Sequence, residues 1–200
     1  DDTIEGGDGV DIIRGGDGDD TLIDSGDSTI YGDGGDDTIN AFGSGSIWGW
    51  DLWNSTDTTD LIIYGGDGND IISSPTFKIV DAGSGDDTIK LHHDETSIPF
   101  DYVWSRIYGG DDDDTIEVTG DTTAGLFIYG DAGDDVIDIS AGKLRSYDGM
   151  DFQVRGGSGD DRLIGNDDDN FFEGGSGDDS IYGLDGDDYL FAGDGDDHLD

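Results

Sequence analysis

Large apolar residues fall in short islands at a fixed spacing along this chain, and polar residues fill the intervals. In GGDGVDIIR (6–14) and GGDGDDTLI (15–23), Ile13 and Leu22 hold the eighth place of a nine-residue frame. The frame returns as GGDGNDIIS (65–73), GGDDDDTIE (109–117) and GGSGDDRLI (156–164). It then runs unbroken through GNDDDNFFE (165–173), GGSGDDSIY (174–182), GLDGDDYLF (183–191) and AGDGDDHLD (192–200). Variants with altered glycines are GDGGDDTIN (32–40), AGSGDDTIK (82–90) and GDAGDDVID (130–138). The eighth place is Ile or Leu in eleven of the twelve frames and Phe172 in the other. Six turn-forming places followed by a triplet with a central apolar residue predict a turn and then a short strand with one side chain inward. Two frames make a coil of about 18 residues, and stacked coils pair their strands about 4.8 Å apart.

The remaining places carry chemistry. Glycine at places one, two and four permits positive φ and lets main-chain carbonyls crowd inward. Asp at place six adds a short carboxylate to those carbonyls, where Glu would overshoot by one methylene. Such an all-oxygen set suits a hard cation with about six to eight ligands, Ca²⁺ before Mg²⁺. The frame G-G-x-G-x-D-x-U-x, with U large and apolar, resembles the hemolysin-type calcium-binding repeat of the RTX family. Clear repeats stand at both ends of the chain and are interrupted in the middle. The resemblance implies an all-β, right-handed parallel β-roll, a β-solenoid with Ca²⁺ clamped between the turns of successive coils.

Counting by coils separates two edges. One edge carries frames beginning at 15, 32, 65, 82, 109, 130, 156, 174 and 192, and each keeps Asp at place six. These are Asp20, Asp37, Asp70, Asp87, Asp114, Asp135, Asp161, Asp179 and Asp197. Nine stacked turns leave eight gaps, so roughly eight Ca²⁺ ions are expected from the family geometry. The opposite edge has frames at 6–14, 165–173 and 183–191, which add Asp11 and Asp188 as candidate ligands. Between them it has lost the frame, and loop insertions are expected at 41–60, 91–104, 118–125 and 139–151. The expected organisation is a single roll over 1–200, with regular coils over 1–40 and 156–200 and one-edge insertions across 41–155.

The rebuilt edge still ends in usable strands. STIY (28–31), LIIY (61–64), SRIY (105–108) and LFIY (126–129) each place an Ile inward, and KIVD (78–81) and FQVR (152–155) place a Val. Two facing core columns are therefore expected, with Tyr31, Tyr64, Tyr108 and Tyr129 as an outward aromatic stripe beside one of them. All four Trp fall in the insertions: Trp48, Trp50 and Trp53 in 41–60, and Trp104 in 91–104. Two readings stand for them. Either they cover the edge as a local core, or they stack on a polysaccharide or anchor a surface protein. His92 and His93 are adjacent, so in an extended segment they point to opposite faces, which is poor geometry for one metal site.

Charge sharpens the picture. Acids outnumber bases 51 to 8, a formal net charge of −43, and 47 of the acids are Asp. High charge with low hydrophobicity would ordinarily signal disorder, but the regular spacing and the preference for Asp over Glu argue against it. The acidity excludes nucleic acid and an anionic membrane surface as partners. No apolar run reaches the about 18 residues of a transmembrane helix, so no membrane insertion is expected. The absence of Cys excludes disulfides and thiolate metal sites. There is no H-E-x-x-H, nucleophile elbow or phosphate-binding loop, and no catalytic residue is expected.

Two roles follow from the resemblance. In the first, the resemblance implies that the chain is a calcium-binding structural segment of a secreted or cell-surface bacterial protein (surface layer, extracellular matrix or filament, or adhesin), folding on Ca²⁺ outside the cell. Alternatively, it is an accessory module of a secreted enzyme or toxin that aids secretion or binds polysaccharide. DDTIE (1–5) is the tail half of a frame and Asp200 closes a complete one. Neither end carries a polar capping unit, so a longer chain or end-to-end self-association is expected.

Overall fold

The computed structural model describes residues 1–26, 28–42, 61–74, 79–94, 104–122, 125–144 and 152–200. Among these residues twenty strands form two sheets, of eleven and nine strands. Except at Val136–Asp138 and Gly142–Leu144, which follow one another in the same sheet, the chain alternates between the sheets, so Thr3–Glu5 pairs with Thr21–Asp24 while Ile12–Asp17 pairs with Thr29–Gly34. Strand pairs are parallel, and each strand meets the one a coil away rather than its neighbour in sequence. This is an all-β parallel β-roll, the architecture that the alternation of turn and triplet requires.

Register follows the frame. In the first sheet Leu22, Ile39, Ile72, Ile89, Ile116 and Ile137 lie opposite one another in succession. Ile30, Ile63, Val80, Ile107, Ile128, Val154 and Phe172 do the same in the second. All of these are fully or almost fully buried, so the core is two facing columns along the roll axis. One inward residue per triplet makes a thin core, which leaves much of the ordering entropy of the turns to be offset by other interactions.

Two places depart from the expected layout. Part of the sequence expected as loop insertion is strand: Thr88–Asp94 and Thr115–Thr122 pair over their whole length, and Gly142–Leu144 pairs with Gly120–Thr122. The cause is a second inward residue. Leu91 and Val118 are buried two places beyond Ile89 and Ile116, so the alternation continues and widens the core.

The tyrosine stripe is also divided. Tyr31 and Tyr64 stack with ring centroids 5.1 Å apart, as do Tyr108 and Tyr129, but Asp81 holds the intervening place in register. The Arg14 guanidinium lies 3.9 Å from the centroid of Tyr31 and donates to Asp33. Rings stacked along the roll axis present their edges outward. The stacked pairs therefore brace the sheet face.

Candidate metal ladder

The predicted aspartates are brought together in one line by the coil-to-coil register. The main-chain N–H of Asp20 donates to Oδ1 of Asp37 at 2.7 Å, and Asp37 N–H donates to Asp70 Oδ1 at 2.7 Å. The same bond joins Asp70 to Asp87, Asp87 to Asp114 and Asp114 to Asp135. It continues from Asp135 to Asp161, from Asp161 to Asp179 and from Asp179 to Asp197. One carboxylate oxygen of each residue is thus consumed by the preceding coil.

The other oxygen is not. Oδ2 of Asp20, Asp37, Asp70, Asp87, Asp114, Asp135, Asp161 and Asp179 is buried with no hydrogen-bond partner. At Gly15, Gly109 and Gly130, a Cβ would meet both Oδ2 of the same turn's Asp and a main-chain carbonyl oxygen of the next coil. Ala82 and Ala192 hold the same place in two coils, so the crowding admits a methyl group there. Carboxylate and carbonyl oxygens converging without a donor between them repel one another unless a cation joins them.

The electrostatics agree. Burial, partly offset by the donated N–H and added to by neighbouring aspartates, pushes Asp114 up to about 8 and Asp70 and Asp161 up to about 7. Asp87 and Asp135 rise to about 6, and Asp37 and Asp179 are also raised. Among the described residues the arginine ion pairs lie elsewhere, Arg14 with Asp33 and Arg155 with Glu173, and the one ammonium at the ladder is the N-terminus, 3.5 Å from Asp20 Oδ1. Among the described residues no three acidic or histidine side chains gather into one cluster. The donor set is one carboxylate oxygen per turn with main-chain carbonyls, which fits a hard, oxygen-loving divalent ion.

Turn conformation enforces this geometry whatever residue fills the place. Asp33, Asp131 and Leu184 stand at place two and Asp112 at place four, and all four adopt φ between 73° and 78°. Glycine is the frame's residue there because positive φ costs it least.

The sequence reading missed three features. Asp2 heads the ladder, its N–H donating to Asp20 Oδ1 at 2.5 Å; it stands in the half-frame 1–5, which hid its place. Place five, read as variable, forms a second, exposed ladder. Asp36 N–H donates to Asp19 Oδ1, Asn69 to Asp36, and Asp86 to Asn69, continuing to Asp196 on Asp178. The signal was present, since every ladder-edge frame has Asp or Asn at place five. The third is Asp24, buried on the opposite edge with Oδ1 unpartnered.

On that opposite edge Asp11 Oδ2 is buried without a partner, and Asp188 Oδ1 accepts from Asn170 N–H at 2.9 Å. Asn170 itself stands at place six, and its amide donates to Asn166 Oδ1 and to the carbonyl of Asp168. His92 lies on a strand and shares a 2.8 Å hydrogen bond with Thr119. Trp48, Trp50 and Trp53 lie outside the described residues, and of Trp104 the described part is its main chain, in register with Gly125.

The sequence model of the RTX calcium-binding nonapeptide repeat, which spans four copies, matches residues 1–23, 24–41, 62–74, 105–121, 127–142, 153–181 and 164–199. These segments make up well over half of the chain, and the chain belongs to this family. It is a calcium-binding β-roll module. No curated protein and no solved structure matches it. The frame at 82–90 falls between matched segments, yet Asp87 stands in the ladder with the others.

Proposed function

We propose that this chain is a calcium-binding structural segment of a secreted or cell-surface bacterial protein, unfolded at cytoplasmic calcium and folded by the millimolar calcium outside. Asp20, Asp37, Asp70, Asp87, Asp114, Asp135, Asp161, Asp179 and Asp197 are its ligands on the ladder edge, with Asp11 and Asp188 on the other. The row of eight buried, unpartnered Oδ2 oxygens carries the reading. Each would hold an ion against carbonyls of the adjoining turns, giving about eight ions on this edge in the family geometry. Calcium supplies the positive charge that lets buried carboxylates stay ionised, so folding and metal binding are one event. The residues do the rest: Oδ1 locks coil to coil, Oδ2 would hold the ion, and the two apolar columns exclude water behind them.

Limited proteolysis at two calcium levels tests the proposal. The chain is expected to be digested rapidly at submicromolar free calcium and to resist at millimolar calcium. Equal digestion at both levels would overturn it.

A further inference from the structure

On the edge that has lost the frame, the first two turns keep a second pair of buried, unsatisfied oxygens. Asp24 is 1% exposed, and its Oδ2 accepts from the N–H of Gly26 at 2.9 Å. Its Oδ1 has no partner, and neither does the buried Oδ2 of Asp11. Both lie beside Gly6: a Cβ there would collide with Asp24 Oδ1 and the Ile13 Cδ1 methyl and come within 3.4 Å of Asp11 Oδ2.

Comparison with the ladder explains the arrangement. A ladder aspartate does two jobs: Oδ1 accepts the N–H of the preceding coil, and Oδ2 faces the carbonyls. In the second turn of this edge Ser28 stands at the matching place, and its Oγ accepts Asp11 N–H at 3.0 Å. Serine performs the first job but brings no charge. Asp24 restores it from four residues upstream. Its Oδ1 crowds Gly6 as the next coil's Gly32 carbonyl oxygen crowds Gly15. Two carboxylates would then balance one divalent ion, although the frame is broken.

We propose that Asp24 and Asp11 form a separate calcium site on the rebuilt edge, between its first two turns. The site rests on the calcium-binding reading above but uses a carboxylate outside the repeat frame. Asp24 is thereby a ligand, and Ser28 is a positioning residue that keeps Asp11 in register.

Calcium counting by isothermal titration on the full chain tests it. D24N is expected to bind one ion fewer than the parent while still forming strand with calcium. D24N/D11N is expected to lose that same single ion and no more. A full ion count in D24N, or two ions lost in the double variant, would overturn the site. Should D24N fail to fold, the unmodified chain decides: crystals grown with terbium are expected to show anomalous density beside Gly6, Asp11 and Asp24. Density along the ladder but none there contradicts this site alone. No bound ion anywhere, with no calcium-dependent folding, contradicts the calcium reading as well.

Discussion

The main-chain N–H of Asp87 donates to Oδ1 of Asp114 at 2.8 Å, across 27 residues of sequence, while Oδ2 of Asp114 stays buried without a partner. One side chain thus both joins two coils and leaves an unsatisfied charge.

The two roles separate on substitution. Asp114→Asn keeps an acceptor oxygen for Asp87 but removes the charge. In chelator at pH 8 it is expected to fold more readily than the parent. With calcium, the midpoint for strand formation is expected to rise about tenfold, equivalent to about 1.4 kcal/mol. Asp114→Ala loses the hydrogen bond too, which costs a further about 1–3 kcal/mol. Calcium titrations followed by circular dichroism measure all three. Equal midpoints for D114N and the parent would remove Asp114 from the metal ladder.

Acid should partly replace calcium. The folded carboxylates of Asp70, Asp114 and Asp161 rise to about 7, 8 and 7, above the unfolded value of 3.8. Well below pH 3.8 these groups are protonated in both states and impose no penalty, and near pH 4 the penalty is still small. Between pH 4 and 8 the unfolded chain ionises first, so the metal-free roll loses stability as pH rises. Strand content in chelator is therefore expected to increase as pH falls from 8 toward 4. A flat or opposite profile would contradict the assigned burial of the ladder.

Equivalent turn positions should respond with opposite sign. Gly175 has φ of 130°, and a Cβ there would collide with the carbonyl of Gly157. Gly175→Ala is expected to cost about 1–3 kcal/mol or more. Leu184 holds the same place in the next frame with φ of 73° and is exposed. Leu184→Gly relieves about 1–2 kcal/mol of steric strain against an entropic cost of about 0.5–1 kcal/mol. Thermal melts in saturating calcium should show a lowered midpoint for G175A and an equal or raised one for L184G.

Phe172 fills the core column between Val154 and Leu190 and is fully buried. Phe172→Ala is expected to destabilise the calcium-loaded roll by about 3–5 kcal/mol, read by urea denaturation. A loss below 1 kcal/mol would mean that the column is not packed at this coil.

What the sequence disclosed was whatever repeats. Ile39, Ile72, Ile116 and Leu163 recur at the eighth place and are all buried, and the ladder aspartates recur at the sixth. What it hid came from breaks in the repeat. Leu91 and Val118 extend strands into stretches that lack the frame and so resemble loops. Asp81 interrupts the tyrosine row because KIVD stands between LIIY and SRIY, an order that the aligned strands already carry. Asp24 lies in a shortened turn with no intact frame, and only its approach to Asp11 and Gly6 reveals it.

On the proposed function, calcium holds together a roll whose buried carboxylates otherwise repel one another. Far-ultraviolet circular dichroism of the full chain at pH 7.5, in chelator and then in excess calcium, tests it most directly. A largely unfolded spectrum that converts to strand on calcium addition and reverts with chelator is the predicted result. Equal strand content in both conditions would contradict the account.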